Sequence, residues 1–261
     1  MLPRAQAIEQ SRRALASWHG KGSEMKRFDE IRARAAGRKG GEDVLATLLP
    51  AAPDNAALAA VPDHRILSAM AARVFSAGFV WRVIEQKWPG FEEAFLGFEP
   101  KRLLFQPDEF WEGLAGDARI VRNPQKIRSV RDNAGFVDRI SAEHGGFGRF
   151  LAAWPRDDQA GLLALLSKQD SRLGGATGAY FLRWIGFDAY VVSPDMTAAL
   201  RDAGLDVAPN PTSKKDLAAI QAQMNAFAAE TGLPYTHLSR ILAMSIGENR
   251  AAEDLRAYVE T

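Results

Sequence analysis

The chain has 261 residues, 47% hydrophobic and 25% charged, with 33 Lys/Arg against 32 Asp/Glu. That balance leaves no global field to draw in a polyanion, and no apolar run approaches the roughly 18–20 residues that cross a bilayer. The absence of cysteine excludes disulfides, thiolate metal ligands and a Cys nucleophile, and His19, His64, His144 and His237 are too far apart for a short-range metal signature. The expectation is a cytoplasmic monomer, with no signal-peptide core at its N-terminus, no cofactor and no metal.

Residues 1–24 read as a helical extension in which Ile8, Leu15 and Trp18 share one face, closed by Gly20 and Gly22. Residues 25–247 read as a helical domain and 248–261 as a charged tail that frays. Residues 1–40 hold ten Lys/Arg against four Asp/Glu. Such a local excess suits nucleic acid or an anionic surface, or is simply a solvated face.

A basic helix with Phe28 and Ile31 on one side begins near Met25, and a short one follows over 42–49. Asp63 is the expected N-cap of a helix over 63–76. Ala77 and Gly78 break it, and a short helix over 79–87 should end before Pro89 and Gly90. From Pro124 the apolar positions Ile127, Val130, Val137 and Ile140 recur with helical spacing, with Arg122, Lys126, Arg128 and Arg131 at the start and on the polar faces. Further helices are expected over 147–154 and 157–168. Another runs to Leu200 with Asp195 as its cap, one follows Thr212 as cap, and a last ends near Gly247. No alternating strand pattern, repeat or linker interrupts them. The fold class is all-α.

Two features stand out. The first is the turn Leu173, Gly174, Gly175, Ala176, Thr177 and Gly178 between two helical patterns. A helix opening directly after a glycine turn presents unpaired N–H groups, which suits a phosphate. An ordinary αα-hairpin would place glycines there as well. The second is the cluster Phe75, Phe79 and Trp81 around the Ala77–Gly78 break, where an aromatic face could stack an extruded base; all three rings are equally compatible with core packing. Trp88, Trp111 and Trp154 read as core or inter-helix residues. Asp195 follows the apolar Tyr190, Val191 and Val192, so its carboxylate is a candidate to stabilise positive charge on a sugar or to orient water. It is also a candidate helix cap.

Phe75-Ser76-Ala77-Gly78-Phe79-Val80-Trp81, followed by Val83-Ile84 and residues 91–98, resembles the bacterial DNA-3-methyladenine glycosylase I family. So do Ile120-Val121-Arg122-Asn123, Lys126-Ile127 and Asn133-Ala134, and the turn over 172–180 falls where that family has its helix–hairpin–helix. The resemblance runs from about Phe28 to Ile246.

It implies an all-α, helix–hairpin–helix glycosylase-like bundle of two closely packed helical lobes. Such a protein binds duplex DNA containing alkylated bases, extrudes a 3-methyladenine-like purine and hydrolyses its N-glycosidic bond. By match to the family motif, Trp81 would stack the base, Arg73, Phe75 and Phe79 would line the pocket, and Leu173, Gly174, Gly175, Ala176, Thr177, Gly178, Arg122 and Lys126 would contact the DNA backbone. Asp195 aligns with the catalytic aspartate of other helix–hairpin–helix glycosylases, which this family usually lacks, and would be the catalytic carboxylate here.

The chain departs from the pattern at three places. The family's zinc-binding cysteines are absent, its N-terminal Tyr-rich block with a His-Asp pair is replaced by the basic segment Phe28 to Gly41, and Arg73 stands where its pocket glutamate lies, eight residues before the tryptophan. Arg73 leaves open a non-catalytic DNA-binding protein that has lost the base pocket, and a helical interaction module is the third reading.

Overall fold

A computed structural model describes residues 25–78, 81–168 and 172–256. Among them are fifteen α-helices, one short 3₁₀ turn at Leu96–Phe98 and no strand. In chain order the helices are α1 Phe28–Lys39, α2 Glu42–Thr47, α3 Asn55–Ala59, α4 Asp63–Ser76, α5 Trp81–Ala94, α6 Pro100–Leu104, α7 Asp108–Leu114 and α8 Pro124–His144. They continue as α9 Phe147–Ala153, α10 Gln159–Lys168, α11 Gly175–Trp184, α12 Pro194–Asp202, α13 Lys214–Thr231, α14 Tyr235–Met244 and α15 Ala252–Arg256. The all-α reading holds. The expected helix over the first two dozen residues lies outside the described residues.

The chain forms two compact units. The first combines residues 25–53 with 188–256, and the second is the continuous run Asp54–Phe187. The break at Pro53 falls in the Pro/Ala-rich stretch 50–62, whereas the one at Asp188 has no such marker.

The first unit is built on Phe28 and Ile31 of α1, Met196 and Leu200 of α12, Ile220, Met224 and Phe227 of α13, and Leu238, Ile241 and Leu242 of α14, all fully or almost fully buried. Phe28 and Phe227, nearly two hundred residues apart in sequence, set their ring centroids 5.1 Å apart. The basic excess of α1 is used inside this unit. Arg34 and Lys26 reach Asp202 at 2.6 and 3.0 Å. Arg38 donates to the carbonyls of Met244 and Gly247, and Lys39 to Asn249 Oδ1 and the Arg250 carbonyl. These bonds tie down residues 247–250 where fraying was expected, and α15 follows them.

The second unit centres on an aromatic core. Phe75 meets Phe91 edge-on with centroids 4.7 Å apart, and Trp88 stacks on Phe91 and Phe98 at 5.0 and 5.4 Å. This stack explains why α5 runs through Pro89 instead of stopping before it. The proline costs the helix one N–H, but Phe91 and Ala94 beyond it are buried and hold the next turn in place. α8 behaves as its periodicity predicts. Asn123 caps it by accepting the Lys126 N–H, Pro124 occupies its first turn, and Ile127, Val130, Val137 and Ile140 are buried. Trp111 is buried, and Trp154 packs on Phe150 while its indole N–H donates to the Asp158 carbonyl, so both are packing residues as read.

Three caps differ from expectation. Asp63 sits at the first position of α4, where Pro62 is the N-cap, and its carboxylate accepts the Phe147 N–H of α9 at 3.0 Å. Ser213 rather than Thr212 caps α13. Ser193 rather than Asp195 caps α12. In the last two a serine one or two residues away holds the N-cap position and accepts the first-turn N–H.

Candidate functional site

The second unit carries the aromatic and basic residues that the sequence singles out, and it sorts them by exposure. Phe75 is 0% exposed, enclosed by Phe91 and Phe95. It is a core ring and cannot stack a base without unpacking the unit, which corrects its place in the base pocket. Trp81, six residues on, begins α5 with its ring 43% exposed and the Arg82 guanidinium 5.8 Å from its centroid. Phe79 lies outside the described residues.

Lys126 also changes role. Its side chain is buried, and Nζ donates to the carbonyls of Phe75 at 3.1 Å and Ala77 at 2.6 Å. These belong to the last turn of α4, whose carbonyls have no intrahelical partner, so the ammonium caps a helix C-terminus and its negative dipole end. Burial, and then the nearby Arg172, push its pKa below the usual lysine range. A DNA phosphate is therefore not its partner. Arg122, four residues earlier, is exposed as expected.

The turn before α11 is mixed. Leu173 is fully buried and Gly178 is buried. A Cβ at Gly178 would run into the Leu173 carbonyl and the Leu163 side chain, so packing demands this glycine. Gly175, at φ +57°, and Ala176 are exposed, while Gly174 and Thr177 are half-buried. Leu173 and Gly178 thus hold the turn from inside, and the backbone of the other four faces outward or partly so. Arg172, exposed and also at positive φ, donates to Gln125 Oε1 at 3.0 Å, linking the turn to the start of α8. With Arg122 and Arg172 on one helix start, this edge carries two exposed cations; the sequence reading included only the first.

Arg73 has the most informative surroundings. Its guanidinium lies 4.1 Å from the centroid of the Trp184 ring of α11, a cation–π stack. Burial lowers its pKa from the ordinary value, with the neighbouring Tyr180 acting the other way. A guanidinium nevertheless stays protonated in proteins. Among the described residues it has no carboxylate and no hydrogen-bond acceptor. Tyr180 and Trp184 themselves are 44% and 49% exposed. They stand four residues apart on one face of α11, a spacing that makes neighbours of helical side chains. That i, i+4 aromatic pair is the sequence signal for this surface.

Asp195 belongs to the other unit. It is exposed in the first turn of α12, beside Gly247, whose added Cβ would meet its carboxylate. A carboxylate there suits the positive end of the helix.

The zinc site that the family resemblance brings with it does not fit this chain. It has no cysteine, and among the described residues no three His, Asp or Glu side chains converge.

Residues 58–162 match the model of the methyladenine glycosylase family. The resemblance read from the Ala77–Trp81 and Ile120–Asn123 blocks therefore holds over this segment, which contains Arg73, Trp81 and Arg122 and stops short of the hairpin and of Asp195. Among solved structures, a 3-methyladenine DNA glycosylase I from Staphylococcus aureus is 21% identical with a TM-score of 0.45, the match covering 56% of this chain and 85% of that one. Another 3-methyladenine DNA glycosylase I is 19% identical with a TM-score of 0.43, covering 53% and 83%. A variant of such an enzyme in complex with 3-methyladenine is 22% identical with a TM-score of 0.44, covering 51% and 84%. No curated protein matches the chain in sequence.

Proposed function

We propose that this protein is a DNA glycosylase that extrudes a modified purine from duplex DNA and hydrolyses its N-glycosidic bond. The observation that carries this reading is Trp81. It lies within the segment that matches the methyladenine glycosylase family, and its ring is open while its neighbours Phe75 and Phe91 are buried. An indole left exposed at a helix start is available to an unstacked base, and such stacking is worth roughly 1–3 kcal/mol per base. Extrusion costs a few kcal/mol, so stacking on this scale offsets much of it.

In the reaction the C1′–N9 bond breaks with its electron pair passing to the base. The oxygen of water bonds to C1′; its proton ends on the released purine when the base is neutral, and passes to solvent when the base is cationic and leaves neutral. The exposed backbone around Gly175, with Arg122 and Arg172, would hold the phosphates on either side of the lesion. Alkylated purines are the first substrates to test. Release of a modified purine from duplex DNA, with alkylated and deaminated lesions compared, lost in Trp81→Ala while duplex binding persists, is the expected result. Duplex binding by the wild-type chain without release of any base would overturn it.

Arg73 favours a second reading, a duplex-binding protein without catalysis, because a cation in the pocket opposes a cationic alkylated base. Salt-dependent duplex binding with no glycosidic cleavage of any lesion would establish that reading.

A further inference from the structure

We infer that Arg73, held on Trp184, selects a neutral purine with hydrogen-bond acceptors along its Hoogsteen edge and rejects purines that carry a positive charge. The inference rests on the preceding proposal that the protein extrudes a purine, and it assigns the edge of that base to Arg73 and the Tyr180–Trp184 face.

Four observations lead to it. The guanidinium carbon lies 4.1 Å from the Trp184 ring centroid, so the indole holds the charge beside the open face of α11. It is half-buried, enough to lower its pKa from the ordinary value, and no described residue offers it a carboxylate or an acceptor. Elsewhere in the same unit exposed cations do find carboxylates, as Arg131 does at Asp108 and Arg119 at Asp117. Lastly, the rings beside Arg73, Tyr180 and Trp184, keep nearly half their surface open, so a planar ligand can reach it.

A guanidinium presents parallel N–H donors, and one with no protein acceptor matches two acceptors on one edge of a planar ring. O6 and N7 of an oxopurine supply that pair, as they do for arginine in the DNA major groove. A purine alkylated at N3 or N7 and still joined to its sugar is a cation, and a second cation beside it in a partly desolvated site repels it.

The same charge also bears on the chemistry. When the C1′–N9 bond of a neutral purine breaks, the electron pair gathers on the leaving base, and a positive donor at O6 and N7 stabilises it. When the base is already cationic it leaves neutral, and Arg73 has no developing charge to stabilise. Hypoxanthine-type and O6-alkylated guanine-type lesions fit the site; N3-alkyladenine does not.

The test separates charge from cleavage by using small probes on the full-length protein. Binding of 9-methylhypoxanthine, neutral with free O6 and N7, is compared with that of 3,9-dimethyladeninium, a fixed cation, by calorimetry or saturation-transfer NMR. The wild-type chain is expected to prefer the neutral probe by at least about tenfold. Arg73→Gln, which keeps length and polarity, should reduce the preference to within about threefold, with its thermal midpoint measured alongside. Equal or tighter binding of the cation by the wild-type chain overturns the inference, whatever the variant does. Binding of neither probe overturns it as well, and so does a folded Arg73→Gln chain with undiminished preference. Base release from alkylated DNA together with preference for the cation would sink the inference and leave the glycosylase reading standing. The reverse pattern, probe selectivity with no base release from any duplex, would sink the glycosylase reading alone.

Discussion

The two units treat their cations in opposite ways. In the first, Arg34 and Lys26 share Asp202, and Arg38 and Lys39 take up the carbonyls and the amide of residues 244–250. In the second, Arg73 rests on an indole face and has no carboxylate partner among the described residues. The difference teaches where to look for function. A charge density readable in the sequence, ten basic residues in the first forty, belongs in its described part to internal ties, whereas a single arginine in an unremarkable helix faces open aromatic surface. Pairing, rather than abundance, separates scaffold from site.

The comparison breaks first if the aromatic cluster of the second unit is not divided into core and surface. Phe75→Ala should destabilise the protein by about 3–5 kcal/mol in denaturant unfolding, since it empties a fully enclosed site. Trp81→Ala should cost no more than about 1 kcal/mol, with its effect appearing in base release. Equal losses of stability in the two variants would erase the division.

Lys126 and Arg122 give the next test. Lys126→Met leaves the Phe75 and Ala77 carbonyls without their donor and should cost about 1–3 kcal/mol, with the salt dependence of duplex binding unchanged. Arg122→Ala should do the reverse, leaving the unfolding midpoint in place and lowering the salt slope by about one. A change of slope in Lys126→Met would return that residue to the DNA-binding surface.

The smallest effect belongs to the first unit. Hydrogen bonds from Arg34 and Lys26 hold the Asp202 carboxyl below the usual carboxylate range. A carboxylate with a depressed native pKa contributes stability above its ordinary value of 3.8 and loses it as pH falls through the lower native value. Both partners are about one-third exposed or more, so the contribution is no more than about 1 kcal/mol. Asp202→Asn should flatten the acid limb of the unfolding profile by that amount and leave stability at neutral pH lower by the same step. An acid limb identical to that of the wild-type chain would mean the pair contributes nothing.

Much of this architecture was legible because local signals agree. At α8 the asparagine cap, the first-turn proline and the apolar spacing all name one start, and Gly145 names the end. Legibility failed where a side chain answers to a distant element. Asp63 looks like the cap of its own helix and serves α9; Lys126 looks like a solvated cation and closes α4. Pro89 reads as a terminator until the stack of Trp88, Phe91 and Phe98 is known. In the candidate site Arg73 and Trp81 were readable through their place in a family-like block. Trp184 was not, because its partner lies more than a hundred residues away and only folding brings the two together.

The order in which the chain is made gives the interrupted first unit a particular history. The second unit is one continuous run ending at Phe187, so all its residues have been synthesised while α12, α13 and α14 are still to come. The first unit must wait for them, because Phe28 has no ring to meet until Phe227 has left the ribosome. At roughly 5–20 residues per second that interval lasts on the order of seconds. During it Phe28 and Ile31 stay uncovered, and the basic side chains of α1 have neither Asp202 nor the residue 244–250 carbonyls to bind. A nascent chain halted in this interval presents a cationic, apolar helix, the kind of segment that chaperones hold.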